Sequence, residues 1–126
     1  MQRIITTYGK CFMKFYSSLQ EDVQEKIDWV FEIVKVSDKI PAKFFERLTG
    51  TDGIYEIRVE YESNIYRILC FFDKGNSVVL INSFQKKSQK TPTNEIKLAE
   101  KLKKQYFTDK KVDNENKNNK GKKIKK

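Results

Sequence analysis

From Gly53 to Pro92 the hydrophobic positions fall into three strand-length runs. In the first, Tyr55, Ile57, Val59 and Tyr61 alternate with Glu56, Arg58 and Glu60, the period of two that sets one series against a core and the other toward solvent. Arg58 is thereby expected to point away from the core. NIYRILCFF forms the second run and VVLINSFQKK the third, separated by Glu62-Ser63 and DKGN. A two-residue loop at the first turn pairs Tyr61 with Asn64 and sets Arg58 opposite Arg67; a three-residue loop would set Val59 opposite Arg67 instead. Carried through the second turn, the two-residue register pairs Phe72 with Ser77, Arg67 with Asn82 and Ile65 with Phe84. One face then gathers Arg58, Arg67, Asn82 and Phe84 and runs out into Gln85-Lys86-Lys87-Ser88-Gln89-Lys90. Like charges across a ladder are destabilising, and a cationic row beside an aromatic suits a phosphodiester. The plainer reading is that Glu56 and Glu60 pair with the two arginines as surface ion pairs worth little.

Around this meander, Arg3 to Thr7 predicts a short strand, and Tyr8 to Phe15 is ambiguous. Ser18 and Glu21 have capping-box spacing ahead of Val23, Ile27, Val30, Phe31 and Val34, a stripe that predicts a helix from Leu19 to about Val36. Trp29 and Ile33 widen its apolar side, which is expected to pack on the sheet. Pro41 opens a predicted second helix through Ala42, Phe44, Phe45 and Leu48, closed by Gly50. Thr91-Pro92 predicts the start of a last helix with Ile96, Ala99, Leu102 and Tyr106 on one face and Lys97, Lys101 and Lys104 on the other. The expectation is an α+β domain with two helices before the meander and one after it.

Composition narrows the chemistry. The 126 residues include no histidine, which removes the usual acid-base residue, the Ser-His and Cys-His arrangements and most zinc sites. The five glycines fit no phosphate-binding loop, so ATP hydrolysis and dinucleotide chemistry are not expected. Cys11 and Cys70 lie far apart and read as plain thiols. With neither a signal peptide nor a membrane span in the pattern, a cytoplasmic protein is the default. The net charge is +9, and residues 109–126 hold eight lysines against Asp109, Asp113 and Glu115. That tail is expected to be disordered, either adding phosphate contacts to nucleic acid or serving as a solubilising end. The domain proper is placed at residues 1–108.

The ordered series GIYEIRV, NIYRILCFF, VVLINSFQKKSQKTP and EIKLAEKLKKQY resembles the RelE/ParE superfamily of toxins, and within it the phage-derived, HigB-like branch. The likeness covers roughly Tyr8 to Phe107; Ser88 stands where the branch often has threonine. The resemblance implies a RelE-like fold, a small curved antiparallel sheet with N-terminal helices packed on one face, a C-terminal helix, and the basic site on the face away from the helices. It implies a type II toxin that acts as an endoribonuclease (mRNA interferase) on translated messages at the ribosome, with a helix-turn-helix antitoxin as partner, no cofactor, no metal and no membrane.

In RelE-type cleavage the RNA's own 2′-hydroxyl attacks the adjacent phosphate. Carried onto this chain, the catalytic set becomes Arg58 and Arg67 on the phosphate and Lys86 and Lys87 for proton transfer or charge stabilisation. A lysine among other cations has a lowered pKa and can act as a base. Phe84, by stacking on a base or by plain packing, and Lys90, on backbone phosphate, complete the RNA-binding candidates. Tyr106 is placed in the core rather than at the site. Two other readings stand beside the nuclease: a ParE-like gyrase poison, and a non-catalytic RNA- or ribosome-binding protein.

Overall fold

A computed structural model describes residues 2–86 and 90–124, with side chains as far as Asp113. The elements run β1 (Ile4–Thr7), α1 (Cys11–Ser17), α2 (Glu21–Val36), β2 (Phe45–Arg47), β3 (Tyr55–Tyr61), β4 (Asn64–Asp73), β5 (Ser77–Lys86) and α3 (Thr93–Ile124). The five strands form one sheet in the order β1-β5-β4-β3-β2. β2 to β5 are antiparallel, whereas β1 joins β5 in parallel. The architecture is the RelE-like α+β arrangement of a curved sheet, N-terminal helices and a C-terminal helix. No helix among the described residues is long and apolar enough to cross a membrane.

The central strands β4 and β5 are the apolar runs ILCFF and VVLIN, as expected of strands covered on both faces. One face packs Ile57, Val59, Ile68, Cys70, Val78 and Leu80 against Phe12 of α1 and Val23, Ile27, Val30 and Val34 of α2. The other packs Ile54, Leu69, Phe71, Val79 and Ile81 against Ala99, Leu102 and Tyr106 of α3. Cys70 is buried and Cys11 exposed, both as free thiols, and burial pushes the Cys70 thiol far up.

The β3–β4 turn takes the two-residue form. Glu62 and Ser63 both have positive φ, 48° and 69°, the geometry whose twist matches a tight hairpin. Tyr61 therefore pairs with Asn64, and Arg58 with Arg67. The second hairpin departs from the expected register in two places. Asp73, not Phe72, pairs with Ser77, and a bulge follows between Ile68 and Cys70, so Arg67 pairs with Phe84 rather than Asn82. Each departure slips the ladder by one residue. A single slip would have turned every side chain over; two slips restore the face, and Arg67, Asn82 and Phe84 still share it.

Four expected local features give way to others. The helix predicted from Pro41 is a turn followed by β2, because its two phenylalanines pack apart as they do in extended chain. Phe45 stacks on Tyr55 at 5.1 Å, while Phe44 meets Trp29 at 5.6 Å. Trp29 is half exposed rather than packed on the sheet. The Ser18–Glu21 capping box is absent, because α1 extends to Ser17 and Ser18 closes it, its hydroxyl donating to the Phe15 carbonyl at 2.6 Å; α2 begins after Gln20 with no side-chain cap. α3 begins at Thr93, so Pro92 rather than Thr91 immediately precedes it, and the Thr91 hydroxyl donates to Glu56.

The boundary expected between residues 108 and 109 cuts through contacts. Asp109 accepts a hydrogen bond from the Tyr8 hydroxyl, and Lys110 pairs with Asp73 at 2.6 Å. The backbone of α3 remains helical through Ile124, in a region whose composition predicts disorder. Tethering residues 109 and 110 to the sheet extends an already nucleated helix, and elongation is far easier than initiation.

Candidate functional site

The hairpin register stacks cross-strand rows on the α3-bearing face. Glu46 lies opposite Glu56. In the next row Arg58, Arg67 and Phe84 lie side by side on β3, β4 and β5, and in the row after it come Glu60, Ile65 and Lys86. The sequence-predicted cations Arg58, Arg67 and Lys86 are thus gathered on one patch. Lys87 lies outside the described residues, and Lys90 is exposed beyond them. The patch is not on a helix-free face, as the resemblance implied. α3 packs on the same side, its first turn beside the site and its body over the apolar middle of the sheet.

Arg67 departs furthest from expectation: instead of facing solvent it is only 3% exposed. A polar residue on an alternating strand is expected to be solvated, but α3 packs on this same face of the sheet. Its Nη1 donates to the Tyr66 carbonyl at 3.2 Å, and its Nε has no hydrogen-bond partner among the described residues. Burial lowers the guanidinium's pKa, the Glu56 charge opposes that shift, and nearby Arg58 adds to it. Arg58 is partly exposed and donates through Nη1 to Glu46 at 2.7 Å.

Glu56, expected to be an ordinary surface ion-pair partner, is instead buried at 4% exposure. Its Oε1 lies 3.5 Å from Arg58 Nε and 3.6 Å from Arg67 Nε, while its Oε2 accepts a hydrogen bond from the Thr91 hydroxyl at 2.9 Å. The signal available in the sequence was its position two residues before Arg58 on the same strand face.

Lys86 is half-buried at the end of β5, and its pKa is lowered, first by burial and then by the Arg67 charge. A lysine so placed gives up its proton more readily than a solvated one. Phe84 is partly buried and packs against the Leu69–Phe71–Ala99 cluster. Asn82 donates to the Glu95 carbonyl oxygen at 3.0 Å and to its Oε1 at 2.9 Å, so it holds the first turn of α3. Tyr106 lies far from the arginines. It packs on Phe71 and donates to Asp73 Oδ2 at 2.6 Å, which holds the phenol up to about 12. Among the described residues no group of three carboxylate or thiol side chains is placed to hold a metal.

In chemical terms the site offers two guanidinium groups in adjacent strands, one of them desolvated with an unspent donor, and an amine of reduced basicity on their flank. Such a set can bind a tetrahedral anion, stabilise added negative charge and move a proton.

A search of curated proteins by sequence gives no match. Among solved structures, the archaeal RelE–RelB complex from Pyrococcus horikoshii OT3 has a chain similar to this one with a TM-score of 0.51 and 16% sequence identity. The match covers 68% of this chain and 96% of that one, and a likeness at this identity speaks for the fold. Residues 14–104 match the family described as Phage derived protein Gp49-like (DUF891), a span that takes in α2, the whole sheet from β2 to β5, every described site residue and the first turns of α3. The chain belongs to the phage-derived Gp49-like family.

Proposed function

We propose that this protein is the toxin of a type II toxin–antitoxin system, of the HigB-like branch, and that it cleaves messenger RNA. The observation that carries the reading is the gathering of Arg58, Arg67 and Lys86 on one patch, with a buried Arg67 Nε that has no hydrogen-bond partner among the described residues. The fold it shares with a chain of a RelE–RelB complex supports a partner of the antitoxin kind.

In this reading a phosphodiester sits across Arg58 and Arg67. A neutral lysine, Lys86 or its neighbour Lys87, takes the proton of the 2′-hydroxyl as that oxygen attacks the adjacent phosphorus. The two guanidinium groups stabilise the charge that builds on the non-bridging oxygens. The bond to the 5′-oxygen breaks, that oxygen takes up the proton held by the lysine pair, which returns the base to its neutral form, and the products carry a 2′,3′-cyclic phosphate and a 5′-hydroxyl. Lys90 holds a flanking phosphate.

Induction in bacteria tests this directly. Translation is expected to stop first, with discrete cuts inside translated messages whose downstream fragments begin with a 5′-hydroxyl. Early gyrase-linked DNA breaks with messages intact would replace this reading with that of a ParE-like gyrase poison. Binding of RNA without any cut would leave a non-catalytic RNA-binding protein.

A further inference from the structure

We infer that Glu56 is the positioning residue of the arginine pair, holding both guanidinium groups in the orientation that receives a phosphate. The inference deepens the functional reading above and rests on Arg58 and Arg67 being the phosphate site. Hairpin geometry forces these two cations into directly opposed positions on β3 and β4, where like charges repel. Glu56 lies one row away on the same face and places a single oxygen at 3.5 Å and 3.6 Å from the two Nε atoms, almost equidistant.

Two features separate this arrangement from an ordinary ion pair. The carboxylate approaches Nε, the stem end of each fork, at distances beyond a good hydrogen bond; it offsets the mutual repulsion without consuming the donors. The exposed Glu46, by contrast, binds Arg58 end-on through Nη1 at 2.7 Å. Second, the other Glu56 oxygen is fixed by the Thr91 hydroxyl, in the short segment that joins the lysine cluster to α3. The carboxylate therefore ties the site's strand to the connection that carries Lys90.

Positioning of this kind acts on the rate more than on binding, because misplacement of a charge stabiliser by about 1 Å costs roughly a hundredfold in rate. The test compares native protein with Glu56→Gln, Glu56→Asp and Thr91→Val. Three readouts are needed: single-turnover cleavage of an RNA oligomer, affinity for the same oligomer with a 2′-deoxy residue at the cut, and the Nε–H nuclear magnetic resonance signals of Arg58 and Arg67. Glu56→Gln is expected to cleave about a hundredfold more slowly while binding the uncleavable oligomer as well as the native protein or better, since an anion has been removed. Its arginine Nε–H signals should broaden and exchange faster. Glu56→Asp should recover part of the rate, and Thr91→Val should cleave about tenfold more slowly than native protein, a smaller displacement of the same groups.

Equal loss of rate and affinity in Glu56→Gln would reduce Glu56 to a structural ion pair and overturn the inference; so would native Nε–H signals in that variant. If native protein binds but never cuts RNA while the Nε–H signals still respond to Glu56→Gln, the nuclease reading fails and the positioning role stands. Should Glu56→Gln not fold, the decision passes to the folded Glu56→Asp and Thr91→Val proteins, whose unchanged rates and signals would overturn it.

Discussion

Two buried carboxylates sit on the same face of the sheet and meet opposite fates. Asp73, at one end of β4, is closed off: Tyr106 and Lys110 of α3 both reach its Oδ2 at 2.6 Å. Those hydrogen bonds hold its pKa below the usual carboxylate value. Glu56 pairs with Leu69, four residues from Asp73, roughly 14 Å away at strand rise and spacing, beside a buried arginine whose Nε lacks a hydrogen bond among the described residues and a lysine of lowered pKa. A cluster that only fastens a helix satisfies its donors at short range. Leaving a buried donor unsatisfied costs on the order of 1–3 kcal/mol, and more for a charged group, and a catalytic role is one of the reasons for which such a cost is carried. The two clusters thus differ in how their polar groups are used, and that difference supports the proposed site.

The strongest way to break the contrast is to exchange its outcomes. Arg67→Lys keeps a cation in the buried position but loses the planar fork. It is expected to lower the cleavage rate about a hundredfold or more with little change in the urea midpoint. Arg67→Ala is a poorer probe than the strand pattern suggested, because it leaves Glu56 without one of its two guanidinium neighbours, at a cost of about 3 kcal/mol. Cleavage by Arg67→Lys at the native rate would remove Arg67 from the site and erase the difference between the two clusters.

Lys86 sharpens the same contrast through pH. Burial and the Arg67 and Arg58 charges lower its pKa, while Glu56 and Glu46 pull it back up. If its neutral form is the base, the rate rises with pH and levels off below the ordinary lysine range. Lys86→Arg keeps the charge but stays protonated across that interval, so its rate is expected to fall about a hundredfold and its alkaline rise to disappear. A retained rise in the variant transfers the proton-transfer role to Lys87.

Much of this was legible in the sequence, and the gaps have specific causes. The period-two pattern of Tyr55–Tyr61 and the hairpin turn point to the facing pair Arg58 and Arg67, which the structure holds. The exchange of Asn82 for Phe84 as Arg67's neighbour came from a turn one residue shorter than expected and from a bulge, neither of which periodicity announces, and the shared face survived because two slips cancel. Burial of Arg67 and Glu56 was invisible for another reason. Alternation reports which face a residue occupies, while α3 covers part of the polar face, and that depends on where a distant helix docks. Phe44 and Phe45 read as a helix stripe with Leu48, and that stripe gives way to aromatic packing against Trp29 and Tyr55 that is equally non-local.

Asp73 supplies the opposite arm. Asp73→Asn is expected to lower stability by about 1–2 kcal/mol near neutrality, from two charge-assisted contacts of which the lysine is partly solvent-screened, and to leave the cleavage rate of the folded protein unchanged. The sign follows from the lowered pKa. Its stabilising contribution is complete above the unfolded carboxylate value and is lost as pH falls through the folded one. The difference between native protein and Asp73→Asn in urea titrations should therefore shrink as pH drops below about 4. A difference that persists at a pH of about 2, below the carboxylate range, would show that packing, rather than charge, fastens α3.

The mildest test divides α3 itself. Truncation after Asp113 keeps the Asp109 contact with Tyr8 and the Lys110 contact with Asp73, and removes six of the eight lysines that follow residue 108. Folding and the cleavage step are expected to be unaffected. RNA affinity should fall mainly at low salt, and the dependence of affinity on salt should flatten, because a shorter run of lysines neutralises fewer phosphates and so displaces fewer counterions. Truncation after Thr108 removes both tethers as well and should be less stable than truncation after Asp113, by an amount close to that of Asp73→Asn. Equal stability of the two truncated proteins would mean that the sheet holds α3 through Ala99, Leu102 and Tyr106 alone. The Lys110–Asp73 pair would then contribute as little as a surface ion pair.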